Sequence, residues 1–325
     1  MEIHKILEML RQNYSITFSR AEIFRENGFG NTTYTVYGAE RSSGLELPSY
    51  ATSTEKVYFL KAIHLPKTEM ETATASMDVQ VYLLENKFPV IPIVFTNDDA
   101  AFVCATEHDK EYIFVLSDFT KGDEPPFRLL EKAGALVGKL HRVMKGYPGR
   151  LPVRDKSYFI DRYVEIMRKI QYAKAEDFQA LGDEMWGKIK HLPRGYCHCD
   201  MYDGNVHTTE RGDMYIVDFD TSCMAFPGYD VALFCNRTHF FEYDYGGYEK
   251  TKVRLDAFLP GYLRYNALSD EEIAAFYVML GIYHFQLLPA GLEMKGYDSG
   301  IVEFFDKQYD WLLRWKEQCI KMNSW

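Results

Sequence analysis

Between residues 15 and 116 apolar and polar positions alternate in short runs separated by turn formers, the pattern of half-buried strands. Thr32 to Tyr37, Val57 to Ile63 and Tyr112 to Leu116 read as strands, and Glu69 to Glu85 reads as a helix lying between the last two. The polar stretch Gly38 to Glu55 is expected to form a long hairpin tip. From about Leu129 onward helical spacing takes over, in Leu129 to Met144, Tyr158 to Ala173 and Ala232 to Phe240, and Ser269 with Glu272 spells the S-x-x-E capping box of another helix. Met1 to Ser15 is expected to be a surface helix. Its charged residues His4, Lys5, Glu8 and Arg11 interrupt any continuous apolar core, so it does not read as a signal peptide. Ile273 to Leu288 is the most apolar later stretch, too short and too polar at His284 and Gln286 to span a membrane. A strand-rich third followed by a helix-rich remainder predicts an α+β protein of two lobes. The small β-rich N-lobe would occupy residues 1–117 with one main helix, and the large, mainly helical C-lobe residues 118–325. Their join is placed near Ser117 to Thr120, ahead of the turn-rich Lys121 to Pro126.

The sharpest chemical signal is His198-Cys199-Asp200-Met201-Tyr202-Asp203-Gly204-Asn205, followed after a hairpin turn at Thr208 to Asp213 by the apolar run Met214 to Val217 and then Asp218-Phe219-Asp220. A carboxylate, an amide five residues later and a second carboxylate delivered by a strand is the spacing with which kinase-fold enzymes hold a hydroxyl and Mg-ATP. Two carboxylates about 4 Å apart repel by roughly 4 kcal/mol at an effective dielectric near 20, and a polyphosphate adds to the repulsion. Mg²⁺ resolves the conflict, since it takes hard oxygen ligands, with Asn205 and Asp218 as its natural protein ligands. Asp200 is then free to orient the attacking hydroxyl as a base. His198 is expected to support the loop through hydrogen bonds, and His141 to be a satisfied core histidine.

On the nucleotide side, Asn27-Gly28-Phe29-Gly30-Asn31 precedes the first good strand, where glycines let backbone amides approach phosphate; a plain turn is the alternative. Lys61 closes the apolar run Val57 to Leu60, where kinases place a phosphate-binding lysine; a lysine emerging into water is the alternative. An adenine would hydrogen-bond the backbone around Leu116, Ser117 and Asp118 if that segment is the hinge. Asp230 reads as the cap of a helix beginning at Val231.

These residues resemble the aminoglycoside phosphotransferase and choline kinase-like superfamily, near its homoserine kinase or spore-coat kinase-like branches. The resemblance implies a bilobal protein-kinase-like fold with ATP and Mg²⁺ as cofactors. It carries over a glycine loop, asparagine, tyrosine and strand lysine as Gly28, Gly30, Asn31, Tyr34 and Lys61, with Glu71 the best-placed acid to pair with the lysine. It also implies that Asp220 supports the metal run and that Asp230 steadies the catalytic loop. Cys199 stands where the family commonly has glycine.

Composition narrows the partners. The chain has 325 residues, 47% of them apolar, and a formal net charge of −10 without a basic cluster, which argues against nucleic acid and is easier to reconcile with a cationic substrate. Six dispersed cysteines fit a reducing, cytoplasmic compartment. Cys197, His198 and Cys199 lack a fourth ligand and the C-x-x-C spacing of zinc sites. No G-x-x-x-x-G-K-[ST] occurs, which removes the P-loop class. Pro227 follows Asp218 by only nine positions and no A-P-E follows, leaving little room for a peptide platform. The expected acceptor is a small-molecule hydroxyl, on an aminoglycoside, choline or ethanolamine, homoserine or a sugar-like alcohol. Glu242, Tyr243, Asp244 and Tyr245 either line a cation site for it or form a solvated tyrosine-rich loop. A monomer or homodimer suffices. The second class of function is a catalytically silent kinase-fold scaffold.

Overall fold

The alternating first third folds into a five-stranded antiparallel sheet. In the computed structural model, described for residues 2–26, 31–40, 55–65, 70–296 and 300–325, the chain divides into two compact units, Met1–Lys121 and Gly122–Trp325. Unit one contains α1 (Ile3–Asn13), β1 (Ile16–Glu26), β2 (Asn31–Glu40), β3 (Lys56–Leu65), α2 (Met70–Glu85), β4 (Val103–Glu107) and β5 (Lys110–Asp118). The sheet order is β1-β2-β3-β5-β4. Ile6 and Leu10 of α1 pack with Tyr34, Val36, Tyr58, Leu60, Phe114 and Leu116 in one core, while Ile63 and Ile113 pack with Met77 of α2 in another. Side chains alternate between the faces of a strand, so Lys61 lies on the face of Ile63 and Tyr34 on the face of Leu60. Lys61 stands in the middle of β3, which continues to Leu65.

Unit two is mainly helical: α3 (Leu130–Met144), a π-helical turn (Ser157–Asp161) leading into α4 (Arg162–Lys169), α5 (Ala175–Ile189), α6 (Pro227–Cys235), α7 (Gly247–Tyr262), α8 (Asp270–Ala274), α9 (Phe276–Gln286), α10 (Leu288–Lys295) and α11 (Ile301–Lys321). Two small antiparallel pairs interrupt the helices. β6 (Gly195–Cys197) pairs with β9 (Cys223–Ala225), and β7 (Val206–Thr208) with β8 (Met214–Ile216). The Ser269–Glu272 capping box is formed at α8, with hydrogen bonds of 2.8 and 3.2 Å. Trp311, Leu312 and Trp315 of α11 are buried, and both indoles donate to backbone carbonyls, of His239 and Tyr277.

The helix expected over Ala232 to Phe240 is displaced toward the N-terminus. It starts at Pro227, whose fixed φ and missing N–H suit the first helical position. It stops at Cys235 because Asn236 Oδ1 accepts both the N–H and the hydroxyl of Thr238, at 2.9 and 2.8 Å, and closes a turn instead. Asp230 therefore sits inside the first turn of α6, not at its cap, and the capping role is corrected.

Helices α3 and α7 touch through their backbones. A Cβ on Gly134 would collide with the Phe258 carbonyl, one on Gly138 with the Tyr262 carbonyl, and one on Gly261 with the Glu131 carbonyl. Hydrogen is the only substituent that fits there, and the close crossing fixes the position of Tyr262 relative to His141 on α3.

His284 of α9 is fully buried, stacked 3.6 Å from Trp311 and 4.5 Å from Phe240, and neither ring nitrogen has a hydrogen-bond partner among the described residues. Burial pushes its pKa down to about 3. The unfolded chain takes up a proton near pH 6.5 that the fold refuses, so stability present above that pH is lost as pH falls toward 3. Between pH 7 and pH 5 the loss is about 2 kcal/mol. Urea titrations at both pH values should show the parent losing about 2 kcal/mol relative to His284→Phe on going from pH 7 to pH 5, whatever the other groups add to both; an equal change in the two proteins would mean that His284 carries no acid sensitivity.

Candidate active site

The segment linking β6 to β7 carries Asp200, and a 3₁₀ turn, Asp203–Asn205, folds Asn205 back onto it. Asn205 Nδ2 donates to the Asp200 carbonyl at 2.7 Å and to its Oδ2 at 3.1 Å. The Asn205 carbonyl in turn accepts the Val217 N–H at 3.0 Å, which ties the residue before Asp218 to the same turn. Asp218 is exposed and adopts the left-handed conformation, φ 61° and ψ 66°, which aspartate tolerates better than most residues. With its amide nitrogen committed to Asp200, Asn205 has its side-chain oxygen left for an incoming ligand.

Asp200 is half-buried, and its pKa is raised to about 6. Burial is the main cause; the Asp218 and Asp230 charges add to it, while His198 and the Asn205 amide oppose it. Asp200 and Asp218 thus act on each other electrostatically. A hard cation held by Asp218 and the Asn205 side-chain oxygen fits this donor set.

His198 is wholly buried. Its Nε2 donates to the Val217 carbonyl at 3.0 Å, and its Nδ1 has no partner among the described residues. Its carbonyl accepts the Thr221 hydroxyl at 2.6 Å, so Thr221, beside Asp220 in the turn Phe219–Thr221, secures the loop from the other side. Asp230, wholly buried, is the loop's main anchor. Its carboxylate accepts the His198 N–H at 2.7 Å, the Cys199 N–H at 2.9 Å, the Cys197 thiol at 3.2 Å and His141 Nε2 at 3.0 Å. Burial pushes the Asp230 carboxyl up, but the His141 hydrogen bond, the charges of His141 and His198 and the His198 amide outweigh it, leaving the pKa below the ordinary value. His141 Nδ1 meets the Tyr262 hydroxyl at 2.7 Å, to which Asn266 also donates at 2.7 Å. Cys199 takes φ 66°, the conformation for which glycine is usual.

Several partners of this group were not visible in the sequence. Asp203 is clamped by Arg237 and by the buried Arg254 of α7, both through ion pairs. Nothing in the local spacing marks Arg254. Tyr283 of α9 has its hydroxyl pushed up to about 12, by burial first and then by the charge of Asp200. Cys223 arrives opposite Cys197 across the β6–β9 pair, and the Sγ atoms of Cys197, Cys199 and Cys223 all lie within 4.8 Å of one another. Thiol donors from Cys197 and Cys199 lower the pKa of Cys223, while burial pushes Cys197 well above its ordinary value.

The remaining candidates are scattered. Gly28 and Gly30 lie outside the described residues. Asn31 opens β2 on the Lys61 face, whereas Tyr34 is 5% exposed and belongs to the core on the opposite face. Glu71 lies on α2; its side chain is outside the described set, and Met77 and Gln80 of that helix pack beside Ile63 and donate to the Ile91 carbonyl, respectively. Leu116, Ser117 and Asp118 belong to β5 and are already engaged. The Leu116 carbonyl accepts Val94 N–H at 2.8 Å, the Asp118 N–H donates to Pro92 at 3.0 Å, and the Ser117 hydroxyl reaches Phe59 at 3.3 Å. Strand pairing thus takes groups that the hinge expectation assigned to adenine. Asp118 also pairs with Lys56 at 2.6 Å. Hydrogen bonds from the Glu242–Tyr245 loop run elsewhere: Glu242 N–H to His239, the Tyr243 hydroxyl to the Arg314 carbonyl of α11, and Asp244 to Lys250 of α7 and the Gly246 amide. Tyr245 is 68% exposed.

Residues 39–277 match the model of the phosphotransferase enzyme family. A homoserine kinase of Rhizobium meliloti (strain 1021) is 28% identical over 199 residues, 58% of this chain and 54% of the relative, so the chain spans about half the length of the curated relatives it matches first. Among solved structures, the amicoumacin kinase hAmiN in complex with AMP-PNP, Ca²⁺ and Ami superposes with TM-score 0.73 at 16% identity, covering 98% of this chain and 94% of that one. A microcompartment-associated aminopropanol kinase superposes with TM-score 0.72 at 14% identity, covering 99% and 98%. These likenesses show the kinase-like fold. Among the described residues no helix is long and apolar enough to cross a membrane.

Proposed function

The chain belongs to the phosphotransferase enzyme family, and from that premise we propose that it transfers the γ-phosphate of ATP to the hydroxyl of a small molecule. The observation that carries this reading is the double hydrogen bond from the Asn205 amide to Asp200, which turns the amide oxygen away from the base while Asp218 projects into solvent. Asp200 accepts the acceptor's proton while the alcohol oxygen bonds to the γ-phosphorus and the bond to the β–γ bridging oxygen breaks, releasing ADP. The transition state is loose, so Asp200 works chiefly by aligning the hydroxyl. Asn205 and Asp218 would hold Mg²⁺, which when bound neutralises the acidic pair and the polyphosphate. In unit one, Lys61 is assigned to phosphate oxygens and Asn31, on the same face, to the nucleotide.

For the acceptor, relatives named for homoserine and aminopropanol suggest an amino alcohol, and a net charge of −10 suits a cationic group. A panel of such alcohols read by ADP release tests the choice. Nucleotide binding is tested by thermal unfolding. Mg-ATP at roughly a hundred times its Kd should stabilise the parent by about 2.7 kcal/mol. Asp218→Asn should lose most of that gain. Equal stabilisation of parent and variant, or dependence on ATP without the metal, would remove Asp218 from the metal role; no stabilisation of the parent would favour a silent scaffold.

A further inference from the structure

Three of the six cysteines meet at one buried point, although nothing in their spacing requires it. Cys197 ends β6, Cys199 follows in the catalytic loop, and Cys223 opens β9 as the cross-strand partner of Cys197. Each is at most 1% exposed, and their Sγ atoms lie within 4.8 Å of one another. We infer that Cys197, Cys199 and Cys223 form a three-thiolate site for a thiophilic divalent ion, zinc in a cell, which pins the catalytic loop to β9.

The dimensions agree. Zinc–sulfur bonds of about 2.3 Å in a tetrahedron put neighbouring sulfurs about 3.8 Å apart, so the three thiols need to draw together by no more than about 1 Å. Asp230 Oδ1 lies beside the three sulfurs, where it receives the Cys197 thiol at 3.2 Å and loses that donor when the proton leaves. Three thiol protons pass to solvent as the ion enters, and no electron is transferred. Charge favours a divalent over a monovalent soft ion. Three thiolates and a dication leave one negative charge, and the Arg154 guanidinium, which interacts electrostatically with Cys223 and has a buried Nε without a hydrogen-bond partner among the described residues, can offset it. A monovalent ion would leave two negative charges beside the Asp230 carboxylate. Soft thiolate ligands select such d¹⁰ ions over Mg²⁺, so the site does not compete for the metal of phosphoryl transfer.

The test needs no activity measurement and so stands apart from the proposed reaction. Protein expressed in zinc-supplemented medium and purified under reducing conditions is desalted and analysed for zinc, then exchanged with Cd²⁺ and examined for the ultraviolet thiolate-to-cadmium charge-transfer band. One zinc per chain is expected in the parent and in Cys104→Ser, which changes an exposed cysteine outside the cluster. Cys199→Gly removes a ligand at a left-handed position that glycine adopts without strain, so it should fold well, and it should lose both the zinc and the band. Cys223→Ser should do the same. A folded parent without zinc, a Cys199→Gly variant that keeps it, or alkylation showing a disulfide among the three residues would each overturn the proposal.

Discussion

Asp200→Asn is expected to lower turnover by about 10²- to 10⁴-fold, the range for loss of a positioned acid–base group, while leaving Mg-ATP stabilisation intact. The same variant should be more stable than the parent at neutral pH. Burial and the neighbouring acids lift the Asp200 pKa from 3.8 to about 6 in the folded protein. Folding therefore favours the protonated acid, and the stability this provides at low pH disappears as pH rises from about 4 through 6. At pH 7 the ionised carboxylate costs up to about 3 kcal/mol, and a neutral amide of the same shape relieves that cost. Loss of rate together with gain of stability separates a strained catalytic group from one that merely shapes the loop. Parent turnover should also fall below pH 6 as the base takes up its proton. If Asp200→Asn and Asp218→Asn had the same small effect on both rate and nucleotide binding, the division of roles between them would be wrong.

The largest expected loss of stability belongs to Asp230→Asn. The carboxylate takes two backbone amides, a thiol and an imidazole, in a position without solvent access. An asparagine of equal volume offers one acceptor oxygen and turns an NH₂ toward groups that are themselves donors. Leaving buried donors unpaired costs about 1–3 kcal/mol each, and breaking a buried charged pair about 3–5 kcal/mol. We expect a loss of about 3–5 kcal/mol in urea unfolding, because the four contacts overlap and do not add independently. A change under about 1 kcal/mol would show that the loop is held by other means. His141→Phe should reproduce part of the loss, since it removes a single donor and frees the Tyr262 hydroxyl.

The two predictions draw unequally on what the sequence discloses. Asp200, Asn205 and Asp218 lie within nineteen residues, and the short β7–β8 hairpin that brings them together is coded by local alternation and a turn, so their association was legible. The strand-rich and helix-rich portions were legible for the same reason. Cys223 and Arg254 join the site through contacts formed across the folded unit, which no local period encodes. Tyr34 was carried over from motif order, yet strand alternation turns it away from Lys61. The hinge assignment of Leu116 to Asp118 failed to account for residues 92–94, whose pairing extends β5 and engages its backbone. The end of α6 was misplaced because a side-chain turn at Asn236 overrides the apolar run.

The glycine contact between α3 and α7 also limits how the protein can diversify. One helix of that pair holds Arg254 against Asp203 and Tyr262 against His141, so both sides of the reacting segment inherit their alignment from a seam whose nearest contacts are backbone to backbone. Around an acceptor, evolution can trade volume in either direction, enlarging one residue and trimming its neighbour. At Gly134, Gly138 and Gly261 there is nothing left to trim, and every first step adds bulk that pries the helices apart. Change in this unit is thereby channelled away from the three glycines, and the alignment they set stays fixed.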